Sequence, residues 1–492
     1  MCIKGGNLVK WLMIMDRKIQ ALAFALLTVP MMLLAQTDTL VADTAALSWG
    51  DKFRLRVDSV VQTAEADHYF TGVSIYDLTA DSLLYSHNAD KLLRPASTQK
   101  VMTAVAALDV LGAGHKYETK AYYTGHISAE DSTLHGDIYV VGDFDPAYTS
   151  ADLRLLAQNI KKLGINRITG RIIGDVSMKD TLTMGNGWCW DDVPSAVEAY
   201  LSPLTFNRGC ATVEIEEGRA VFSVPTTYMT LTDSTRPKSG RLKAVRNWVD
   251  NGNDFVVTGT PTRTAKSNPI SVYRPERYFV CTLADMLRSE GVTFSAPSQE
   301  TYAIDTLADS SLTPFYICAR TVEQILQQMM KDSDNLFAES MFYQLANMKA
   351  GRWATWKDGA AVVDSVMRSI GIPAAQCKVA DGSGVSLYNY TTPSAQVAAL
   401  RYAYGNDHIY RYLYPSLPIA GRDGTLERRM RKTSAEMNVR AKTGTVTGVS
   451  CLAGYCRASN GNLLAFSIMN NGLYKTSVGR DFQDVLCEAM TK

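Results

Sequence analysis

The chain has few of the residues that build metal or redox centres. Its six histidines, at positions 68, 87, 115, 126, 135 and 408, form no His-Glu-x-x-His or similar cluster, and its nine cysteines include no Cys-x-x-Cys pair. No metal and no cofactor is expected. An excess of charge of one sign is also missing: the formal net charge is +1, which leaves no electrostatic footprint for nucleic acid. Beyond residue 35 no apolar run is long enough to cross a bilayer. Gly382-Ser383-Gly384 has neither the third glycine nor the lysine of a phosphate loop. What is present in 492 residues, 46% of them apolar and 20% charged, is material for two or three domain cores, and it excludes a disordered chain.

The N-terminus reads as a secretory leader. Arg17-Lys18 precede the apolar run 19–35, which Pro30 breaks and Gln36-Thr37-Asp38 follow, the pattern of a signal peptide over 1–35 cleaved after Ala35. Leu33 is larger than the usual residue at the third position before cleavage, and Met15 is an alternative start. An uncleaved leader would instead hold the protein at the membrane periphery. The expected location is the periplasm. Cleavage removes Cys2 and leaves eight cysteines, of which Cys189 and Cys210 are a candidate pair. Cys451 and Cys456 stand at odd separation on one predicted strand, as separate core residues.

Three short motifs carry the chemistry. In Ser97-Thr98-Gln99-Lys100 the spacing makes sense on a helix, where residues three apart share a face and an amine reaches a hydroxyl. Ser97 is the only serine in the chain with a lysine three residues on. The helix-forming stretch 101–111 after it is apolar on more than one face, which predicts burial; burial disfavours the ammonium form and prepares Lys100 to act as a base.

Ser-x-Asn occurs twice. Ser86-His87-Asn88 lies in a polar turn and is set aside. Ser333-Asp334-Asn335 lies between two predicted helices, 322–331 and 336–348, the first opened by a Thr321/Gln324 capping box, with Asp334 as cap of the second. Lys442-Thr443-Gly444 occurs once, in β-branched surroundings that predict an antiparallel hairpin with 463–469 across 459–462. There Lys442 is expected to attract a substrate carboxylate, Thr443 to bond it and Gly444 to leave space, with the substrate lying along the strand.

In this order and setting the motifs resemble those of class C, low-molecular-mass penicillin-binding proteins of the D-alanyl-D-alanine carboxypeptidase/endopeptidase family. The likeness extends to Arg94-Pro95-Ala96, Asp381-Gly382-Ser383-Gly384, Leu417-Pro418-Ile419-Ala420-Gly421, Asp423-Gly424-Thr425-Leu426 and Leu452-Ala453-Gly454-Tyr455. It runs from about residue 69 to the C-terminus. Leucine at 387 departs from the arginine often found there in the family.

The resemblance implies an α/β fold of the penicillin-recognising, β-lactamase-like kind. Position 333 comes 236 residues after position 97, but position 442 only 109 after 333, so a domain is expected in the first gap. The predicted organisation is a catalytic domain over 36–119 and 315–492, with a mostly β insert over 120–314 whose hairpin signals include Glu217-Gly218 and Asn251-Gly252. All three motifs lie outside the insert, so its excision is expected to leave acylation partly intact. Gly187-Trp188-Cys189-Trp190-Asp191-Asp192 resembles a recurring segment of the family's insert, and the resemblance puts Asp175 at the far end of the stem peptide. A turn-capping role is its plainer reading.

By the same resemblance, Lys100 deprotonates Ser97 for attack on the carbonyl between two terminal D-alanines. The N–H groups of Ser97 and Thr445 hold the oxyanion, Ser333 relays a proton to the leaving amine, Asn335 orients the substrate, and Lys442, Thr443 and Gly444 form the carboxylate subsite. The expected partners are peptidoglycan stem peptides, with β-lactams as covalent inhibitors. The alternatives are a serine β-lactamase and a non-catalytic peptidoglycan-binding scaffold.

Overall fold

The structure, a computed structural model, describes residues 47–65, 68–192, 195–307 and 311–492. The predicted leader, its cleavage site, Met15 and Cys2 lie outside the described residues. Residues 47–55, the described part of the first of two units, open the helix Trp49–Glu65; the second unit is 56–492. Among the described residues no helix is long and apolar enough to cross a membrane.

A five-stranded antiparallel sheet carries the site. Its order is Ser82–His87, Phe70–Asp77, Leu463–Asn471, Val449–Arg457, Arg440–Val446, so strands from the start and end of the chain pair at its centre. Val449–Arg457 and Leu463–Asn471 are buried at nearly every position. That is how a strand reads when both faces of its sheet are covered. The helix Thr476–Thr491 packs on Val449–Arg457, and Pro393–Tyr404 packs on Leu463–Asn471 and Phe70–Asp77. The predicted hairpin is thus a three-stranded meander, with Val449–Arg457 between the two strands that the sequence paired directly. Cys451 and Cys456 are buried on it.

The helix Gln99–Val110 is buried over ten of its twelve residues and packs against Asn335–Ala350, Trp356–Ser369 and Pro393–Tyr404. Two predicted helix starts are in place. Thr321 accepts a hydrogen bond from the Gln324 N–H while the Gln324 side chain accepts from the Thr321 N–H, opening Val322–Lys331; Asp334 accepts from the Phe337 N–H and caps Asn335–Ala350.

The chain leaves and re-enters this body through one antiparallel ribbon, Lys116–Tyr123 paired with Thr313–Thr321. The ribbon is the edge of a second five-stranded sheet with Ile138–Val141, Ile172–Asp175 and Tyr302–Ile304. A separate apolar cluster, drawn from residues 121–292, fills this region. The expected hairpin at Glu217-Gly218 is present as Val213–Glu216 with Arg219–Phe222. At Asn251-Gly252 the expected turn joins Lys243–Arg246 to Asp254–Thr258. Two helices, Ser150–Lys162 and Pro275–Ser289, were not read from the sequence. The first has a visible start, a Thr149/Asp152 capping box, but its acid is Asp rather than the Glu or Gln usually sought. Cys189 and Cys210 are free thiols, which corrects the candidate pairing; the Cys210 thiol bonds the nearby Arg208 carbonyl.

Candidate active site

Ser97 is held in a tight turn rather than in the first α-helical turn. Ala96–Thr98 form a 3-10 turn that runs into Gln99–Val110, and Ala96 takes a left-handed backbone, φ 45°. Two glycines make room for this turn. A Cβ on Gly384 would lie 1.9 Å from the Ala96 carbonyl oxygen, and one on Gly444 would lie 2.7 Å from the Pro95 carbonyl oxygen and 3.0 Å from the Ser97 nitrogen. The edge strand therefore abuts the backbone at Ser97, and the space that Gly444 leaves is taken by that turn rather than, as was expected, by a substrate along the strand.

Lys100 is fully buried. Its Nζ lies 2.9 Å from Ser97 Oγ, 2.7 Å from Asn335 Oδ1 and 2.7 Å from the Ser383 carbonyl oxygen. Burial brings its pKa down to about 8, against the opposing pull of Asp381, Glu339, Asp334 and Glu198. The Ser383 carbonyl is held in turn by two buried acids. Glu339 accepts from the N–H groups of Gly382 and Ser383; Asp381 accepts from those of Gly384 and Ser386 and from Asn389 Nδ2 and Trp188 Nε1. The Asp-Gly-Ser-Gly landmark is a bracket for Lys100, and Trp188 braces it.

Ser333 takes a left-handed backbone, φ 60°, at the turn between its two helices. Its Oγ lies 2.7 Å from Lys442 Nζ, which also donates to the Thr443 carbonyl at 2.7 Å. Lys442 is fully buried, and burial, followed by the neighbouring Lys100, holds its pKa well below the usual lysine value. Strand alternation explains this: Lys442 and Gly444 face inward, whereas Thr443 and Thr445 face the opening. Thr443 Oγ1 donates to Thr425 Oγ1 at 2.8 Å, and the Thr425 loop is tied down by Lys331 on Asp423 at 2.8 Å.

These groups meet at a cleft of about 360 Å³ lined by Ser97, Ser333, Asn335, Thr443 and Thr445, with Arg429 and Arg480 also on its wall. One expectation needs correction: Lys442 does not itself line the cleft; it lies behind Thr443 and bonds Ser333. Asp175, expected at the far end of the stem peptide, does not line the cleft. It is buried at a strand end, where its oxygens accept from the N–H groups of Ser177 and Leu307 and face Arg352 at 3.6 Å, as in the plainer turn-capping reading.

Val197 and Glu198 line the cleft and were missed. Asn335 Nδ2 donates to the Val197 carbonyl at 3.1 Å and lies 3.5 Å from Glu198 Oε1, so this segment orients the Asn335 amide. Burial pushes the Glu198 carboxyl up. Arg208 pairs with Asp334 at 2.8 Å. No local motif announces any of the three.

A half-buried serine on a helix start, a buried lysine one turn on, a serine-asparagine turn and an edge strand together define a penicillin-recognising serine hydrolase. The model of the D-Ala-D-Ala carboxypeptidase 3 (S13) family matches residues 54–492, and the chain belongs to that family. It is 30% identical to a D-alanyl-D-alanine carboxypeptidase of Actinomadura sp. (strain R39), over 92% of this chain and 87% of that one. It is 28% identical to one of Haemophilus influenzae, over 80% and 84%. The crystal structure of penicillin binding protein 4 from Haemophilus influenzae superposes with a TM-score of 0.74 at 25% identity, covering 87% of this chain and 97% of that one.

Proposed function

We propose that the protein hydrolyses D-Ala-D-Ala termini of peptidoglycan stem peptides through an acyl-enzyme on Ser97. The observation that carries the mechanism is the set of three partners around Lys100 Nζ. A neutral amine has two hydrogens and one lone pair. Asn335 Oδ1 and the Ser383 carbonyl can only accept, so they take both hydrogens and leave the lone pair facing the Ser97 hydroxyl. Lys100 thus takes the Ser97 proton as Oγ attacks. The N–H groups of Ser97 and Thr445 stabilise the oxyanion, a role supported by the close approach of Gly444 to the Ser97 backbone. Ser333, backed by Lys442, passes a proton to the departing amine; Asn335 and the edge strand at Thr443, Gly444 and Thr445 hold the peptide.

When the departing amine belongs to a cross-linked neighbour, the same steps make the enzyme a D,D-endopeptidase. A β-lactam enters the site as a peptide mimic and stays on Ser97; a solved structure 24% identical to this chain, that of the Haemophilus influenzae protein, is described as complexed with a novel β-lactam. The leader over 1–35 supports export to the periplasm. The apolar cluster drawn from residues 121–292 and the ribbon through which the chain leaves and re-enters support an accessory domain over 120–314 inserted in the catalytic one.

Fluorescent penicillin is expected to label the native chain at Ser97 and to leave Ser97→Ala unlabelled but folded. A tryptic adduct on another serine would overturn the assignment.

A further inference from the structure

The wall of the cleft carries two guanidinium groups, and they differ in what they are bonded to. Arg429 is committed: its Nε and one Nη bond Asp484 Oδ1 at 2.9 and 2.6 Å, and the same Nη bonds Gln483 Oε1 and the Arg480 carbonyl oxygen at 3.1 Å each. Its charge is balanced by Asp484. Arg480 is exposed on the helix Thr476–Thr491, and among the described residues its guanidinium has no hydrogen-bond or ion-pair partner. It lines the cleft together with Ser97, Thr443 and Thr445, and also the adjoining depression together with Thr445 and Val446. Both linings share Thr445 and Val446, so Arg480 stands on the Thr445 side of the edge strand. Arg429, by bonding the Arg480 carbonyl, fixes the backbone that presents it.

A peptide ending in D-alanine brings a carboxylate one residue beyond the scissile carbonyl. Lys442 is the cation that the sequence nominates for that carboxylate, but it is sealed behind Thr443, and its ammonium is directed at Ser333 Oγ and a backbone carbonyl. The other charged groups of the lining, Glu198 and Asp332, repel an anion.

Building on the function proposed above, we infer that Arg480 supplies the positive charge that binds the substrate's terminal carboxylate, beside the hydroxyls of Thr443 and Thr445. A guanidinium suits this task because its planar fork matches both carboxylate oxygens. Arg480 is then the residue that makes the enzyme prefer a free C-terminus, while Lys442 acts on the proton path through Ser333.

The test uses the full chain and two peptides that differ only at the end, one with a free D-Ala carboxylate and one with the C-terminal amide. For the native enzyme kcat/KM is expected to favour the free acid. Arg480→Gln is expected to cut that preference about tenfold, mainly through a higher KM for the acid, the size of one charge-assisted bond, and Arg480→Lys is expected to restore part of it. Lys442→Ala is expected to slow both peptides by the same factor and leave the preference in place. If Arg480→Gln keeps the native preference, or Lys442→Ala abolishes it, the inference is wrong. If the native enzyme cleaves neither peptide, or Ser97→Ala still takes up penicillin, the catalytic reading itself fails, and this inference falls with it.

Discussion

The Lys100 amine can serve as a base only when it is neutral, and burial brings that state within reach of ordinary pH. Because its pKa is lowered to about 8, the protonated form dominates below that value and the neutral form above it. The acylation rate with penicillin is therefore expected to climb roughly tenfold per pH unit below about 8 and to level off above; a rate that is flat from pH 6 to 10 would remove Lys100 as the base. Sequence spacing was enough to find Ser97, Lys100, Ser333 and Asn335, because each belongs to a short motif whose geometry is local. Val197, Glu198 and Arg480 were beyond its reach: each comes to the cleft through tertiary folding from a segment without pattern. The inward direction of Lys442 was open to inference from strand alternation, since Thr443 and Thr445 flank Gly444 on the opposite face.

At the scale of elements, capped helices and glycine turns were legible and insertion contacts were not. Thr321, Asp334 and Glu217-Gly218 marked their boundaries because a cap or a left-handed turn needs particular residue types. The packing of the Arg208 segment on the serine-asparagine turn leaves no such trace. Its consequence can be measured. Asp334 is buried, burial raises its pKa, and Arg208 is first among the groups that oppose the rise. Arg208→Ala leaves this carboxylate without its ion pair and is expected to cost about 1.5–3 kcal/mol in denaturant unfolding, together with slower acylation as the turn bearing Ser333 and Asn335 loosens. Unchanged stability and unchanged acylation together would show that the pair does not support the site.

For the molecule as a whole, the 236-residue gap points to an inserted domain, and the expectation that its excision leaves acylation partly intact meets contacts that cross the proposed boundary. The core cluster around the helix Gln99–Val110 includes Phe144, Met178 and Leu201 from within 120–314, and Val197, Glu198 and Arg208 touch or line the site. Replacing 124–312 with a short turn that preserves the ribbon is accordingly expected to abolish most penicillin acylation, even if a folded product is obtained. A trimmed protein acylated at the native rate would restore the simpler view of two independent domains.

The sheet order has a consequence in time. Phe70–Asp77 pairs with Leu463–Asn471, residue 70 opposite residue 471, so the first strand of the sheet has no central partner until residue 471 has been made. A polypeptide made from its N-terminus onward therefore carries Ser97 and Lys100 without the edge strand that completes their cleft until Arg440–Val446 has been made. The closing contact, between residues 70 and 471, joins positions far apart in sequence, which slows final assembly. The order of the strands thus acts as a clock: the cleft is complete only once the strands that follow residue 440 have emerged.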